Sequence, residues 1–338
     1  MIVFLKEHLP VGIFERLKRI VNGSLALKFA VLREASRFNK YYARHESKNS
    51  VQVAARLTFY THQIEKGLSH QNFRYGFGHR PLQYLAELLP RYIAINPEYS
   101  KDIIYLSALA AVHEYIVKHE GHDSDIEYVR QLFTFQLWEA ILQSSMNYGG
   151  SFTITAESKQ NNRTKTYTEL AEGRHSVREY ADTPVTYDEL KPALQIAMRT
   201  PSVCNRQPAR IHVILNHAII EEALRIQGGF NGYPTPPALI LITADNRVFM
   251  SQQEHNEGYT DGGLFGMSLL LALEEQQLAA CPLNTMFRAT AEKKTRKLLH
   301  IPDYENLVMY IAIGHFAKES KTCRSVRKSY MEITTCME

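Results

Sequence analysis

Four short segments of this chain carry residue types that could do chemistry together. The first is Arg174-His175-Ser176-Val177-Arg178. Two guanidinium groups flank a hydroxyl there, and Arg makes forked, charge-assisted hydrogen bonds to phosphate-like anions. A solvated basic turn would carry the same residues. The second is Thr200-Pro201-Ser202-Val203-Cys204-Asn205-Arg206-Gln207-Pro208. Its prolines fix a loop, and Ser202, Asn205 and Gln207 can both donate and accept, which suits the edge of a flat heterocycle. An ordinary helix-to-strand loop has the same composition. The third is Thr260-Asp261-Gly262-Gly263-Leu264-Phe265-Gly266. Thr260 or Asp261 is expected to cap a helix, and the glycines permit close backbone approach. This is no GxGxxG between strand and helix, so a Rossmann site is not expected. The fourth, Cys281-Pro282-Leu283-Asn284-Thr285, can offer backbone N–H groups to a ring atom.

The elements that must position these segments follow from apolar periodicity. Beyond residue 168 helices and strands mix. A helix is expected over Tyr187–Arg199, a strand at Ile211-His-Val-Ile-Leu, and a buried strand at Ala238-Leu-Ile-Leu-Ile-Thr. A long helix over Asp261–Gln277 and another buried strand, Val308-Met-Tyr-Ile-Ala-Ile-Gly, complete an α+β layered domain. Up to Tyr148 the pattern is helix after helix: Ile13, Leu17, Ile20 and Val21, then Val53, Leu57, Tyr60 and Ile64, then the apolar stretch Ile103–Val117. Pro10, Pro81, Pro90 and Pro97 are expected at helix starts or stops, and Gly67 at another stop. No strand is expected there. The polar stretch 149–168 reads as a linker. The division is therefore a helical region 1–150, a linker 151–168 and an α+β domain 169–338.

Composition narrows the classes of function. The 338 residues can bury a core without staples. The net charge of +4 is too mild to imply nucleic acid. The first fifty residues are more basic, with ten Lys/Arg against four Glu, and could face an acidic membrane surface, an anionic partner or only water. Four cysteines, Cys204, Cys281, Cys323 and Cys336, are far apart, so no disulfide framework or zinc site is expected and a reducing cytoplasm fits. No apolar run reaches the roughly 18–20 residues that cross a bilayer. Met1–Leu5 is too short for the apolar part of a signal peptide.

Taken jointly, the four segments resemble the nitroreductase family in order and spacing. Arg174/Ser176/Arg178, Pro201/Ser202/Asn205/Gln207/Pro208, Asp261/Gly263, Pro282–Thr285, Gly314-His315 and a closing Arg324 or Arg327 match its pattern over about residues 165–335. The resemblance implies a central mixed sheet flanked by helices, bound FMN, NADH or NADPH as co-substrate, and a homodimer with FMN at its interface. Arg174, Ser176 and Arg178, with His175 between them, would hold the FMN phosphate and ribityl chain, and Arg178 could also reach the pyrimidine edge. Arg327 or Arg324 would complete the phosphate site. Pro201, Ser202, Val203, Asn205 and Gln207 belong to the loop whose Ser202, Val203 and Asn205 would come from the second subunit. Pro282, Leu283, Asn284 and Thr285 would place the N–H groups of Asn284 and Thr285 near flavin N5 and O4. Two departures stand out. Ala209-Arg210 follows Gln207-Pro208 where an aromatic is usual. Only Ala244 to Thr260 fill the gap where many members carry a helical insertion that lines the substrate pocket.

The helical half carries one further patch, His62-Gln-Ile-Glu65-Lys66-Gly67-Leu68. His62 and Glu65 share a helix face, as an ion pair or, less simply, a metal pair. The patch is similar to segments that precede nitroreductase-like domains encoded near bacterial polysaccharide genes, which implies a shared architecture in a polysaccharide biosynthesis context and no activity. No metal site is assigned, and no catalytic acid or base. The expected reaction is a two-electron ping-pong transfer from NAD(P)H through FMN to a small-molecule acceptor. The alternatives are an FMN-dependent dehydrogenase or oxidase acting on a modified sugar, peptide or amino-acid derivative, and a non-enzymatic scaffold with a vestigial flavin module.

Overall fold

The computed structural model describes Ile13 and residues 20–337. Most of the spacing read over 13–21, the Met1–Leu5 start and the cations Lys6, Arg16, Lys18 and Arg19 lie outside the described residues.

The first half is helical. Its helices are α1 (Ala26–Tyr41), α2 (Ser50–Leu68), α3 (His79–Ile95), α4 (Ile103–Lys118), α5 (Asp123–Leu132) and α6 (Phe135–Leu142). Asn49, Asp102 and Thr134 cap α2, α4 and α6 by accepting backbone N–H groups with their side chains. One core, built on Leu57, Ile64, Leu85, Leu89, Val112 and Tyr115, joins α2 to α6. α1 contributes no buried residue.

Two expectations fail here. Gly67 does not stop a helix: α2 runs through it to Leu68. The glycine is needed for closeness, because a Cβ at that position would lie 1.8 Å from Cε2 of Phe77. Pro90 lies inside α3 and does not end it.

The second half begins earlier than its composition suggests. Residues 151–168 are folded. β1 (Ser151–Thr155) pairs antiparallel with β6 (Glu319–Cys323). Two short 3-10 turns follow, and their Lys159 and Asn162 are buried. Lys159 Nζ meets Glu274 Oε1 at 2.6 Å, and Asn162 Nδ2 donates to Glu274 O at 2.7 Å. Polar residues here fill a buried network, which is why the stretch imitates a linker.

Next come α7 (Tyr167–Gly173), α8 (Tyr187–Ala197), β2 (Ala209–Ile214), α9 (His217–Gln227), β3 (Ala238–Asp245), α10 (Glu257–Glu275), β4 (Leu278–Asn284), α11 (Ala289–Leu299) and β5 (Glu305–His315). The main sheet has the order β2-β3-β5-β4, with every neighbour pair antiparallel. Its mixed character sits at one edge, where Ser176 and Ala280 form an isolated parallel bridge. Every residue of β3 is buried, as its unbroken apolar run requires. α8 and α10 pack one face through Leu190, Phe265 and Leu269, and α9 and α11 cover the other through Ile220, Leu224 and Leu298. The chain is thus a helical region followed by an α+β half. No described helix is long and apolar enough to cross a membrane.

Candidate functional site

Arg174–Arg178 lies along the free edge of β4. Val177 donates its N–H to Ala280 O at 3.2 Å, and Thr322 of β6 donates its hydroxyl to Ser176 O at 2.8 Å. The segment is therefore held between two strands. Pro282 is tolerated in β4 because this is an edge strand.

Arg174 follows α7 directly. Its Nη1 is buried and has no hydrogen-bond partner. Burial disfavours the Arg174 cation, Glu274 opposes that effect, and Arg327 adds to it. His175 is pushed down by burial, with Lys159, Arg174 and Arg327 contributing. Its Nδ1 lies 2.9 Å from Gly173 O. The charges of Arg174 and Arg327 thus act on one another and on His175, which burial holds toward its neutral form. Lys159 stands beside it but is neutralised by Glu274. Arg324 is placed otherwise: its Nε donates to Gly149 O at 3.3 Å and its guanidinium lies over the Phe152 ring.

Arg178 is buried at the other end of the segment. It donates to Ser176 O at 3.3 Å and to Cys323 Sγ at 3.5 Å. Burial pushes the Cys323 thiol up to about 11, so Cys323 is no anion for Arg178 at neutral pH. Tyr233, from the α9–β3 connection, covers Arg178, with the guanidinium carbon 6.0 Å from the ring centroid.

The Pro201–Pro208 loop lies elsewhere. Cys204, Asn205 and Gln207 all have positive φ, of 48°, 54° and 53°. Such backbone costs L-residues on the order of 1 kcal/mol each, so the loop must be held. Ser202 Oγ accepts from Gln207 N at 2.9 Å, Asp261 accepts from Val203 N at 3.2 Å, and Arg206 pairs with Glu254. This corrects the expected helix cap. α10 starts at Glu257, before both Thr260 and Asp261, and the buried Asp261 anchors the loop from the second turn. A cleft of about 160 Å³ separates the loop from α10, lined by Met198, Pro201, Ser202, Gln207, Asp261 and Phe265.

α10 measures the distance between the two groups. Asp261 holds the loop near its start and Glu274 faces Arg174 near its end. At 1.5 Å per residue they stand about 20 Å apart. Within one chain, loop and cationic group do not converge. The fourth segment ends β4, where Asn284 O accepts from Gln227 Nε2 at 3.1 Å and the Thr285 hydroxyl donates to Leu307 O at 3.0 Å. Leu283 is buried against the α9/α11 face.

The short connection from Ala244 to Thr260 leaves room for the helical half beside this site, and the helical half reaches it through specific contacts. Glu65 accepts N–H groups from Gly150 at 3.2 Å and Ser325 at 3.4 Å. Lys66 Nζ donates to Gly229 O at 2.8 Å, and Lys66 O accepts from the Tyr233 hydroxyl at 3.0 Å. His70 stacks on the Tyr233 ring at 3.8 Å, and Gln71 N donates to Glu179 at 2.9 Å. His62 lies 3.5 Å from Glu65, and Cys323 completes a cluster whose donor atoms fall within 4.8 Å of one another. Glu65 is committed to the two backbone N–H groups and Arg178 stands against Cys323, so the cluster reads as part of the seam between halves.

Comparison with known proteins agrees with this division. Residues 171–231 and 228–315 match the model of the Nitroreductase family. A protein of Archaeoglobus fulgidus bearing the name NADH dehydrogenase/NAD(P)H nitroreductase is 25% identical over 141 residues, 42% of this chain and 79% of its own length. One of Bacillus subtilis named NAD(P)H nitroreductase MhqN is 22% identical over 207 residues, 51% of this chain and 98% of its own. Among solved structures, an NADH oxidase of Clostridium acetobutylicum aligns with 18% identity and a TM-score of 0.44, covering 50% of this chain and 99% of that one. An FMN-dependent nitroreductase of Clostridium difficile aligns with 22% identity and a TM-score of 0.41, covering 46% and 90%. The family match lies wholly within the α+β half, whose fold is of the nitroreductase type.

Proposed function

We propose that the protein is an FMN-dependent oxidoreductase, working as a homodimer, that passes two electrons from NADH or NADPH to a small acceptor. The carrying observation is the buried, unpartnered Nη1 of Arg174 with His175 and Arg327 beside it. A buried donor without a partner is costly, and a guanidinium whose nearby carboxylate, Glu274, is already paired with Lys159 can accept an anion. The donor set fits a phosphate.

Arg174, His175 and Arg327 would hold the FMN phosphate, Ser176 the ribityl chain and Arg178 the pyrimidine edge. The bound flavin would supply the two-electron chemistry. The chain supplies position. The N–H groups of Asn284 and Thr285 at the end of β4 would serve the ring, where fixed dipoles favour negative charge. The 20 Å separation along α10 supports a second subunit. Ser202, Val203 and Asn205 act on the same cofactor as Arg174 when they come from the other copy, and the strained loop is already fixed for that role. No side chain is assigned as acid or base.

The purified protein should show flavin absorbance and release FMN on denaturation. Anaerobic NADH or NADPH should bleach it. Arg174→Ala should weaken FMN binding about 10–100-fold, the loss expected for charge-assisted hydrogen bonds. A colourless protein that takes up no added FMN would overturn the reading.

A further inference from the structure

Lys66 and Arg178 belong to different halves yet flank one ring. Lys66 Nζ lies 5.9 Å and the Arg178 guanidinium carbon 6.0 Å from the centroid of Tyr233. His70 stacks on the same ring. Among the described residues neither cation has a carboxylate partner. Lys66 donates to a carbonyl, and Arg178 to a carbonyl and a thiol. The adjacent carboxylates are engaged elsewhere, Glu65 with Gly150 and Ser325 and Glu179 with Gln71. Burial, and then Arg178, push the Lys66 ammonium down. Arg178 is buried and Lys66 half-buried, and such a cation pair without a counter-ion is unfavourable unless a ligand brings negative charge.

The spacing says which charge. Arg174 and Arg178 are the two ends of one segment and lie at most about 14 Å apart along the chain. FMN has two anionic loci joined by a five-carbon ribityl chain: its phosphate, and the N1–C2–O edge of the ring once reduced. Hydride transfer from NAD(P)H adds two electrons and one proton, so the reduced ring keeps a negative charge at that edge until N1 takes a second proton. With the phosphate at Arg174, the second locus falls toward Arg178.

We propose that Lys66, supplied by the helical half, pairs with Arg178 to stabilise the negative charge of the reduced flavin at its pyrimidine edge. This rests on the FMN reading above. It gives the helical half a redox role: Lys66 is a positioning and tuning residue outside the family-matched segment.

The experiment compares full-length Lys66→Met, Lys66→Arg and wild-type protein loaded with FMN. FMN affinity and the two-electron midpoint potential are measured, the potential by equilibration with reference dyes. Lys66→Met should favour reduced over oxidised flavin at least tenfold less, a drop of about 30 mV for a two-electron couple. Lys66→Arg should restore most of it. Lys66→Gln, which removes the charge and retains a hydrogen-bond donor, replaces Lys66→Met should the latter fail to fold. An unchanged potential in a variant that still binds FMN overturns the proposal and leaves the cofactor reading intact. A wild-type protein that binds no FMN overturns both.

Discussion

The two halves of the chain differ in which buried polar groups they leave unpaired. In the helical half these are Arg56 Nε, whose guanidinium still donates through both Nη atoms, and the hydroxyls of Thr61 and Tyr128. Its buried His119 and Glu114 are satisfied. His119, fully buried, accepts from Gly76 N through Nε2 at 3.0 Å and places Nδ1 2.7 Å from Tyr115 O. Glu114 takes Ser151 N and the Ser151 hydroxyl. In the α+β half the Arg174–Arg178 segment keeps a buried donor without a partner, and the Pro201 loop holds three L-residues at positive φ. An unpaired guanidinium nitrogen on one segment and strained backbone on another mark two candidate parts of a ligand site. Lys66, on the helical side, faces the seam.

The contrast can be broken or sharpened by mutation, because the one tryptophan, Trp138, packs on the helical core and reports that half alone. The largest effect belongs to Gly67→Ala. Its Cβ would collide with Phe77, so the helical half should lose about 3 kcal/mol by overpacking. In urea, the Trp138 fluorescence midpoint should fall further than the midpoint seen by far-UV ellipticity. Equal shifts would mean that the halves unfold as one unit and that the contrast is only local. Glu65→Ala comes next. It leaves the Gly150 and Ser325 N–H groups unpaired at the seam, a cost of about 2 kcal/mol. The two transitions should then separate, and Glu65→Gln should separate them less.

The smallest effect is one of pH. Lys118 caps the end of α2 through Leu68 O at 2.6 Å and also crosses the seam toward Lys321. Burial first, and Lys321 next, bring its ammonium down to about 8 from 10.5. The unfolded chain therefore binds more protons than the folded one in that window, and stability rises with pH through it. Between pH 8 and 9 wild type should gain about 1 kcal/mol relative to Lys118→Met. A flat difference between the two would show Lys118 to be solvated.

What could be read from the sequence was local. The unbroken apolar runs of β3 and β5 announced a buried sheet, and the segment from Arg174 to Arg178 showed the residue types that could hold an anion. Asp261 stood out, but its partner, the N–H of Val203, is 58 residues away and no pattern connects them. β1 was hidden because Ser151-Phe-Thr-Ile-Thr is a short ribbon strand with polar neighbours, and its partner strand is far along the chain, Ser151 meeting Cys323 only 172 positions later. The roles of Glu65 and Lys66 depend on contacts 85 and 163 residues distant, which fold geometry alone supplies.

The β1–β6 ribbon has a consequence for how such a chain could have been assembled. It brings the first strand of the α+β half against the last, so that half closes on itself like a cassette with both ends at one clasp. A unit spliced in front of residue 151 would disturb no strand of the main sheet. A helical partner could therefore be joined first and fitted afterwards, one side chain at a time, with Glu65 and Lys66 among the later stitches.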